Sequence, residues 1–148
     1  MKTVFDNNTR DELSARANAL SENSQPLWGK MNVYQVLQHC IKGDDMMLGK
    51  LPVKPAFIGR LFGKLILKAV LKDDKPLRRN SPTAPELVSK ENAGDLALLK
   101  AAYTESLNEY SHYDNPNFKH PFFGAMTKEQ VGRFVYKHHD HHLRQFGV

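Results

Sequence analysis

The stretch Tyr136-Lys137-His138-His139-Asp140-His141-His142-Leu143-Arg144-Gln145-Phe146 lies close to the end of the chain and holds four of its seven histidines. Neutral imidazoles bind divalent transition metal ions, and two histidines four positions apart on a helix lie on the same side. The stretch therefore predicts a helix that supplies metal ligands to the interior of a helical protein.

The periodicity of this helix selects two of the four histidines. At about 100° per residue, His138 and His142 share a narrow stripe with the apolar residue Val131. His141 lies at the margin of the stripe and His139 lies outside it. We therefore expect His138 and His142 to point inward, and we expect His139 to be solvated, as we do the neighbouring Asp140.

A stable site needs a third ligand from another part of the chain. The candidates are His39, His112, His120, Asp44 and Asp45. Taken alone, His39 would be a histidine at the edge of an apolar helix face, but a histidine pair on another helix makes it the best of the five. Three histidines leave a coordination position open, which is typical of a catalytic metal and not of a closed structural one.

Helix-start signals organise the rest of the chain into an all-α protein. Capping-box patterns occur at Thr9 with Glu12, at Asn32 with Gln35 and at Thr127 with Gln130. They predict helices over 9–23 and 32–49 and a last helix that reaches the histidines, and apolar periodicity predicts another helix from Asn92 or Asp95 to Tyr110. No alternating strand pattern is present. We predict a single domain over 1–148, a four-helix bundle with an extra short basic amphipathic helix on the crossover between bundle helices 2 and 3.

The extra helix, over 57–72, carries most of the positive charge. Nine basic and two acidic residues lie between Lys50 and Arg79, whereas the whole chain has a net charge of +5. Basic residues recur every fourth position from Arg60 to Lys72 beside an apolar face. This helix is either a surface helix with a solvated lysine face or a binding surface for an anionic ligand, a phosphate backbone or an anionic lipid. No nucleic-acid-binding motif accompanies it, so we do not expect a nucleic acid partner.

Composition narrows the class of protein further. Cys40 is the only cysteine, and the residues from Met1 to Asp6 contain no apolar run typical of a secretion signal. No stretch approaches the roughly 18 consecutive apolar residues that cross a bilayer. We expect a cytoplasmic globular protein with Cys40 buried and unreactive.

The chain resembles a known superfamily of bacterial metal-binding proteins. The pattern His138-x-x-His141-His142-x-x-Gln145, combined with Trp28 and His39, is similar to that of the DinB-like (YfiT-like) four-helix bundles. The loop His120-Pro121-Phe122-Phe123-Gly124, which leads into Met126-Thr127, is similar to an uncharacterised branch known only as a domain of unknown function.

The resemblance implies a nickel-like or zinc-like ion bound by His39, His138 and His142. Members of the superfamily include transferases that use bacillithiol, mycothiol or glutathione, as well as maleylpyruvate isomerases and hydrolase-like proteins. The expected cosubstrates are thus a small molecule and a low-molecular-weight thiol, and the resemblance also implies a possible homodimer. The uncharacterised branch has no assigned reaction.

Three further residues are candidates for catalytic roles. Gln145 is a candidate for orienting a water or ligand, and His141 for carrying protons; their alternatives are a helix-end amide and a surface imidazole. His120 is a candidate gate or general base, or else a cap of the last helix. The other class of function is a non-catalytic binding protein whose basic helix contacts an anionic partner.

Overall fold

The computed structural model describes residues 1–148 and is mostly helical. The α-helices are α1 (Asn7–Asn18), α2 (Val33–Met47), α3 (Phe57–Val70), α4 (Leu96–Asn108) and α5 (Lys128–Gln145). Single turns of 3-10 helix lie at Pro85–Leu87 and Glu109–His112, and strands β1 (Lys119–His120) and β2 (Gly124–Ala125) form an antiparallel pair. None of the helices combines the length and the hydropathy that crossing a bilayer requires. The prediction of helices without strands is correct except for β1 and β2, which at two residues each are too short to leave a periodic pattern.

Two of the three predicted capping boxes are confirmed. Asn32 with Gln35 begins α2, and Thr127 with Gln130 begins α5, each with both reciprocal hydrogen bonds present. Helix α4 begins after Asp95, whose side chain accepts from the backbone N–H of Leu98.

The predicted bounds of α1 are wrong at both ends. The helix begins at Asn7 and ends at Asn18, whereas the Thr9 capping pattern predicted 9–23. The Arg10 guanidinium donates to the backbone carbonyls of Val4 and Phe5 and ties the preceding segment to the helix, so that Thr9 lies inside its first turn. After the helix the chain turns at 21–24, where the Ser24 hydroxyl accepts from the Ser21 N–H.

Four of the helices pack pairwise around one core. Helices α1 and α2 each contact both α4 and α5. The largest fully buried apolar side chains come from all four of these helices and include Leu13, Leu37, Tyr103, Leu107, Val131 and Val135. This packing places α2 beside α5, and therefore His39 beside the histidines of α5.

Helix α3 packs differently from the other four. Its buried residues are Gly59, Gly63 and Leu67, and both glycines lie against the backbone of Phe122. The expected cationic positions are exposed, but so is most of the apolar face. The helix therefore contacts the protein through two glycines and one leucine.

Candidate metal centre

Helices α2 and α5 bring His39, His138 and His142 together. The Nε2 atoms of His39 and His138 are 3.1 Å apart, and one ligand atom from each of the three residues lies within 4.8 Å of the others. The ring of His39 is 5.1 Å from that of His138 and 4.7 Å from that of His142, measured between centroids. Three imidazoles from two helices thus face one small volume.

Hydrogen bonds on the far side of two rings fix which nitrogen faces that volume. The Nδ1 atom of His39 lies 3.0 Å from the carbonyl oxygen of Leu87, and that of His142 lies 3.0 Å from Oε1 of Gln145. Because these oxygens only accept hydrogen bonds, both Nδ1 atoms carry the proton, and each Nε2 keeps a free lone pair. Gln145 is itself oriented, since its Nε2 donates to the carbonyl of Trp28 at 2.7 Å. This is the outer-shell arrangement that orients metal-binding histidines.

Burial keeps the three imidazoles neutral. It lowers the pKa of His39, lowers the pKa of His138 well below its usual range and lowers the pKa of His142 to about 3. The neighbouring imidazoles lower all three further, since each disfavours a second positive charge nearby. At neutral pH the cluster therefore offers neutral nitrogens, the form that binds a metal.

The cluster fits the dimensions of a transition metal site. Two nitrogens bonded at about 2.0–2.1 Å to one tetrahedral ion lie roughly 3.3 Å apart, close to the 3.1 Å between His39 and His138. Gly43 on α2 lies against the ring of His138, where a Cβ would be only 3.2 Å from Cε1. The absence of a side chain at Gly43 leaves room for His138 to approach α2.

His141 lies next to the three histidines without joining them. Its ring is buried 5.1 Å from that of His142 and 5.7 Å from that of Trp28, and the guanidinium of Arg79 lies 4.0 Å from the Trp28 ring centre. Burial lowers the pKa of His141, so the ring is neutral and able to accept a proton near the site.

His120 is the last residue of β1, directly before the turn that leads to β2. Its Nδ1 accepts from the backbone N–H groups of Phe122 and Phe123 at 3.0 and 3.3 Å. Its ring packs against Phe134, and Phe134 in turn stacks on His138 at 6.2 Å between centroids. The alternative role of capping the last helix is wrong, because Thr127 performs it.

The accepting role of His120 predicts a pH-dependent stability. Burial lowers its pKa to about 4, whereas an unfolded histidine titrates near 6.5. Below pH 6.5 the unfolded chain binds the proton more readily, so the contribution of His120 to stability is lost as the pH falls toward 4. Between about pH 7.5 and 5 this amounts to about 2 kcal/mol.

A His120→Asn variant tests this expectation. The asparagine Oδ1 can replace Nδ1 as the acceptor but does not titrate. Urea unfolding at several pH values should show a constant cost from lost ring packing, together with a pH dependence weaker than that of the wild type by about 2 kcal/mol. Parallel pH profiles for the two proteins would contradict the assignment.

Two residues of α5 contradict their predicted exposure. His139 is fully buried, with Nε2 at 2.9 Å from Oδ1 of Asp44 and Nδ1 at 2.8 Å from the hydroxyl of Tyr103. Asp140 is also buried, and it pairs with Arg16 at 2.9 Å and with Arg144 at 2.7 Å. The reason is that α5 packs against both α1 and α2, so its last turns are covered on more than one side.

Asp44 is the centre of a buried polar network that the sequence reasoning missed. Its carboxylate accepts from the hydroxyls of Ser106 and Tyr110 at 2.8 and 2.9 Å and contacts His139. A signal was present, because Asp44 lies four positions after Cys40 and three before Met47, in the apolar stripe of α2. The other candidates for the third ligand lie elsewhere. Asp44 is hydrogen-bonded within this network, Asp45 faces Lys50, and His112 is exposed.

Other features of the surface lie apart from the three histidines. One cavity is lined by residues that include Leu48, Glu109 and Asn115, and another by residues that include Met1, Phe5 and Arg133. Neither is lined by a residue of the histidine cluster. Cys40 is buried as expected, and burial raises the pKa of its thiol well above the ordinary value.

Comparison with known proteins gives a family but no characterised relative. No curated protein and no solved structure matches the chain. A family model described as "Protein of unknown function (DUF1569)" matches residues 3–147, which is nearly the whole chain. The chain therefore belongs to this family.

Proposed function

We propose that this protein is a metal-dependent enzyme, a thiol-dependent transferase or a hydrolase, in which His39, His138 and His142 hold a divalent nickel or zinc ion. The observation that supports it best is the convergence of three neutral imidazoles, two of them oriented by hydrogen bonds to Leu87 and Gln145. We further propose that α1, α2, α4 and α5 form a four-helix bundle of the DinB-like type. Their pairwise packing around a shared core supports this.

A divalent ion with three neutral ligands keeps its full charge and would lower the pKa of a water or thiol bound beside it. The chain's own residues would orient and serve that chemistry. Gln145 holds the His142 ring and is itself held by Trp28, so the ligand geometry is set before any substrate arrives. His141, neutral and adjacent to His142, is the proposed proton acceptor.

Trp28 and Arg79 form the proposed wall of the substrate site. The Trp28 ring lies beside His141, and the Arg79 guanidinium lies over the face of the Trp28 ring. A cation in this position favours a small substrate that carries an anionic group. His120 is one aromatic ring away from His138 and acts, in this proposal, by holding the 120–123 turn against Phe134.

The reaction is tested by metal removal and return. Wild-type protein would be assayed with low-molecular-weight thiols and an electrophilic acceptor, and with ester substrates for hydrolysis. We expect turnover that disappears after chelation and returns when nickel or zinc is added. His138→Ala should be inactive under both conditions, whereas His112→Ala, which changes an exposed histidine, should behave as the wild type.

Two outcomes would count against the enzyme. A wild type that binds no metal and melts at the same temperature as His138→Ala, with or without added metal, would contradict the site itself. A protein that holds its metal tightly and turns over none of these substrates would favour the non-catalytic binding function. The exposed basic residues of α3, among them Arg60, Lys64 and Lys68, are the observation on the side of that second function.

A further inference from the structure

Helix α3 exposes an unusually large share of the chain's apolar surface. Six of the ten large hydrophobic residues that are exposed belong to this one helix, and each is between 37% and 73% exposed. They are Phe57, Ile58, Leu61, Phe62, Leu65 and Ile66. An apolar patch of this kind marks an interaction site when it is contiguous and bordered by polar residues.

The outward orientation of this face is imposed by the contact with the protein. A Cβ at Gly59 would lie 2.3 Å from the carbonyl oxygen of Phe122, and one at Gly63 would lie 2.1 Å from the same atom. Rotating the helix to bury its large apolar residues would place a side chain where only glycine fits. The apolar face is thus held away from the core, and nothing in the same chain covers it.

Charge distinguishes the partner that fits this face. Helix α3 and the residues around it, from Lys50 to Lys72, contain no acidic residue. At about 100° per residue, Arg60, Lys64 and Lys68 fall within roughly 80° of one another, along one flank of the apolar sector. All three are exposed. The partner must therefore bury apolar side chains below its surface and carry negative charge at that surface.

We propose that α3 lies flat on anionic lipid bilayers, with its apolar face among the acyl chains and its basic stripe among the headgroups. A helix that combines Phe, Leu and Ile on one face with Lys and Arg beside them binds in the plane of the interface. A second copy of the chain fits less well. In an antiparallel pair of these helices the same flanks meet, so the two basic stripes would repel each other.

Co-sedimentation with vesicles tests the proposal. We expect wild type to bind vesicles of phosphatidylserine in phosphatidylcholine far better than vesicles of phosphatidylcholine alone, and less well at high salt. Each basic residue near an anionic surface contributes about fivefold, so the variant Arg60→Gln/Lys64→Gln/Lys68→Gln, which neutralises the basic stripe, should bind about 100-fold more weakly. Leu61→Ser/Leu65→Ser should bind at least about tenfold more weakly, because it removes apolar side chains from the interface.

Matched variants separate this face from the general properties of the protein. Leu98→Ser removes a leucine that is 69% exposed on α4, against 67% and 68% for Leu61 and Leu65. Lys30→Gln/Lys90→Gln/Lys119→Gln removes the same charge from exposed lysines elsewhere. Leu98→Ser should bind vesicles within about threefold of the wild type, and the triple lysine control within about tenfold. Circular dichroism should show that all variants are folded.

Three results would overturn the proposal. The first is an absence of vesicle binding at low ionic strength. The second is vesicle binding that the two leucine substitutions leave unchanged, which would mean that charge alone causes it. If the protein also bound duplex DNA or RNA tightly, and the leucine substitutions left that binding unchanged, the partner of the basic stripe would be a nucleic acid. The third is a wild-type dimer in light scattering that Leu61→Ser/Leu65→Ser converts to a monomer, which would assign the face to a second copy.

Discussion

Asp44→Ala is expected to lower the free energy of unfolding by about 3–5 kcal/mol, the cost of leaving the buried partners of its carboxylate without an acceptor. The carboxylate is only 1% exposed and is shared by Ser106, Tyr110 and His139. Alanine would leave these polar groups buried without their acceptor. Since a domain of this size has roughly 5–15 kcal/mol of stability in total, the loss would be a large fraction of it. Urea unfolding of metal-free protein, followed by circular dichroism, measures the effect.

The adjacent aspartate provides the control. Asp45 is partly exposed and lies 3.9 Å from Lys50, so Asp45→Ala should cost less than about 1 kcal/mol. If Asp44→Ala does not fold, Asp44→Asn still tests the network. Its Oδ1 keeps the role of acceptor and its amide can donate to Ser106, so we expect a loss of about 1–2 kcal/mol. Equal losses for Asp44→Ala and Asp45→Ala would mean that the network adds nothing to stability.

The features predicted correctly from the sequence are those that depend on local chemistry. The capping boxes at Asn32 and Thr127 need only residues three positions apart, and both begin helices as predicted. The approach of His39 to His138 and His142 followed from spacing on two helices, together with the expectation that the helices face each other. The residues of each capping box, and the pair His138 and His142, lie within about a turn of one another on a single helix; His39 had to be chosen from a second helix.

The features predicted wrongly depend on how many neighbours an element has. A helical wheel assumes one buried stripe, but α5 packs against both α1 and α2, which buries His139 and Asp140 on other sides. Helix α3 shows the other limit of a helical wheel. Its amphipathic pattern does not say whether the apolar face is covered, and only the close contact of Gly59 and Gly63 with Phe122 shows that the face is turned outward. Such contacts between distant segments leave no periodic trace in the sequence.

Replacing any one of the three histidines is expected to weaken metal binding by several hundredfold. Structural zinc sites with four ligands bind with about 10–16 kcal/mol, or roughly 2.5–4 kcal/mol per ligand, which corresponds to about 10²–10³-fold. His39→Ala and His142→Ala each remove one neutral nitrogen from the cluster. Gln145→Ala removes only the hydrogen bond that orients His142, so we expect about a 10–100-fold loss. Competition with a chelator of known affinity, using zinc and nickel in turn, measures all three.

The order of these losses in affinity carries more information than their size, because some of the residues would bind the ion directly and others would act only through a ligand. His141→Ala deletes a buried ring beside His142 that is not one of the three. It should change affinity by less than about tenfold, since it belongs at most to the outer shell, while it should reduce turnover if His141 carries the proton. If His141→Ala weakened metal binding more than His39→Ala did, His141 would replace His39 of α2 in the ligand set. The proposal predicts that affinity falls most for His39→Ala and His142→Ala, less for Gln145→Ala and least for His141→Ala. This order is expected for a cation held between α2 and α5 by imidazole nitrogens that Leu87 and Gln145 orient.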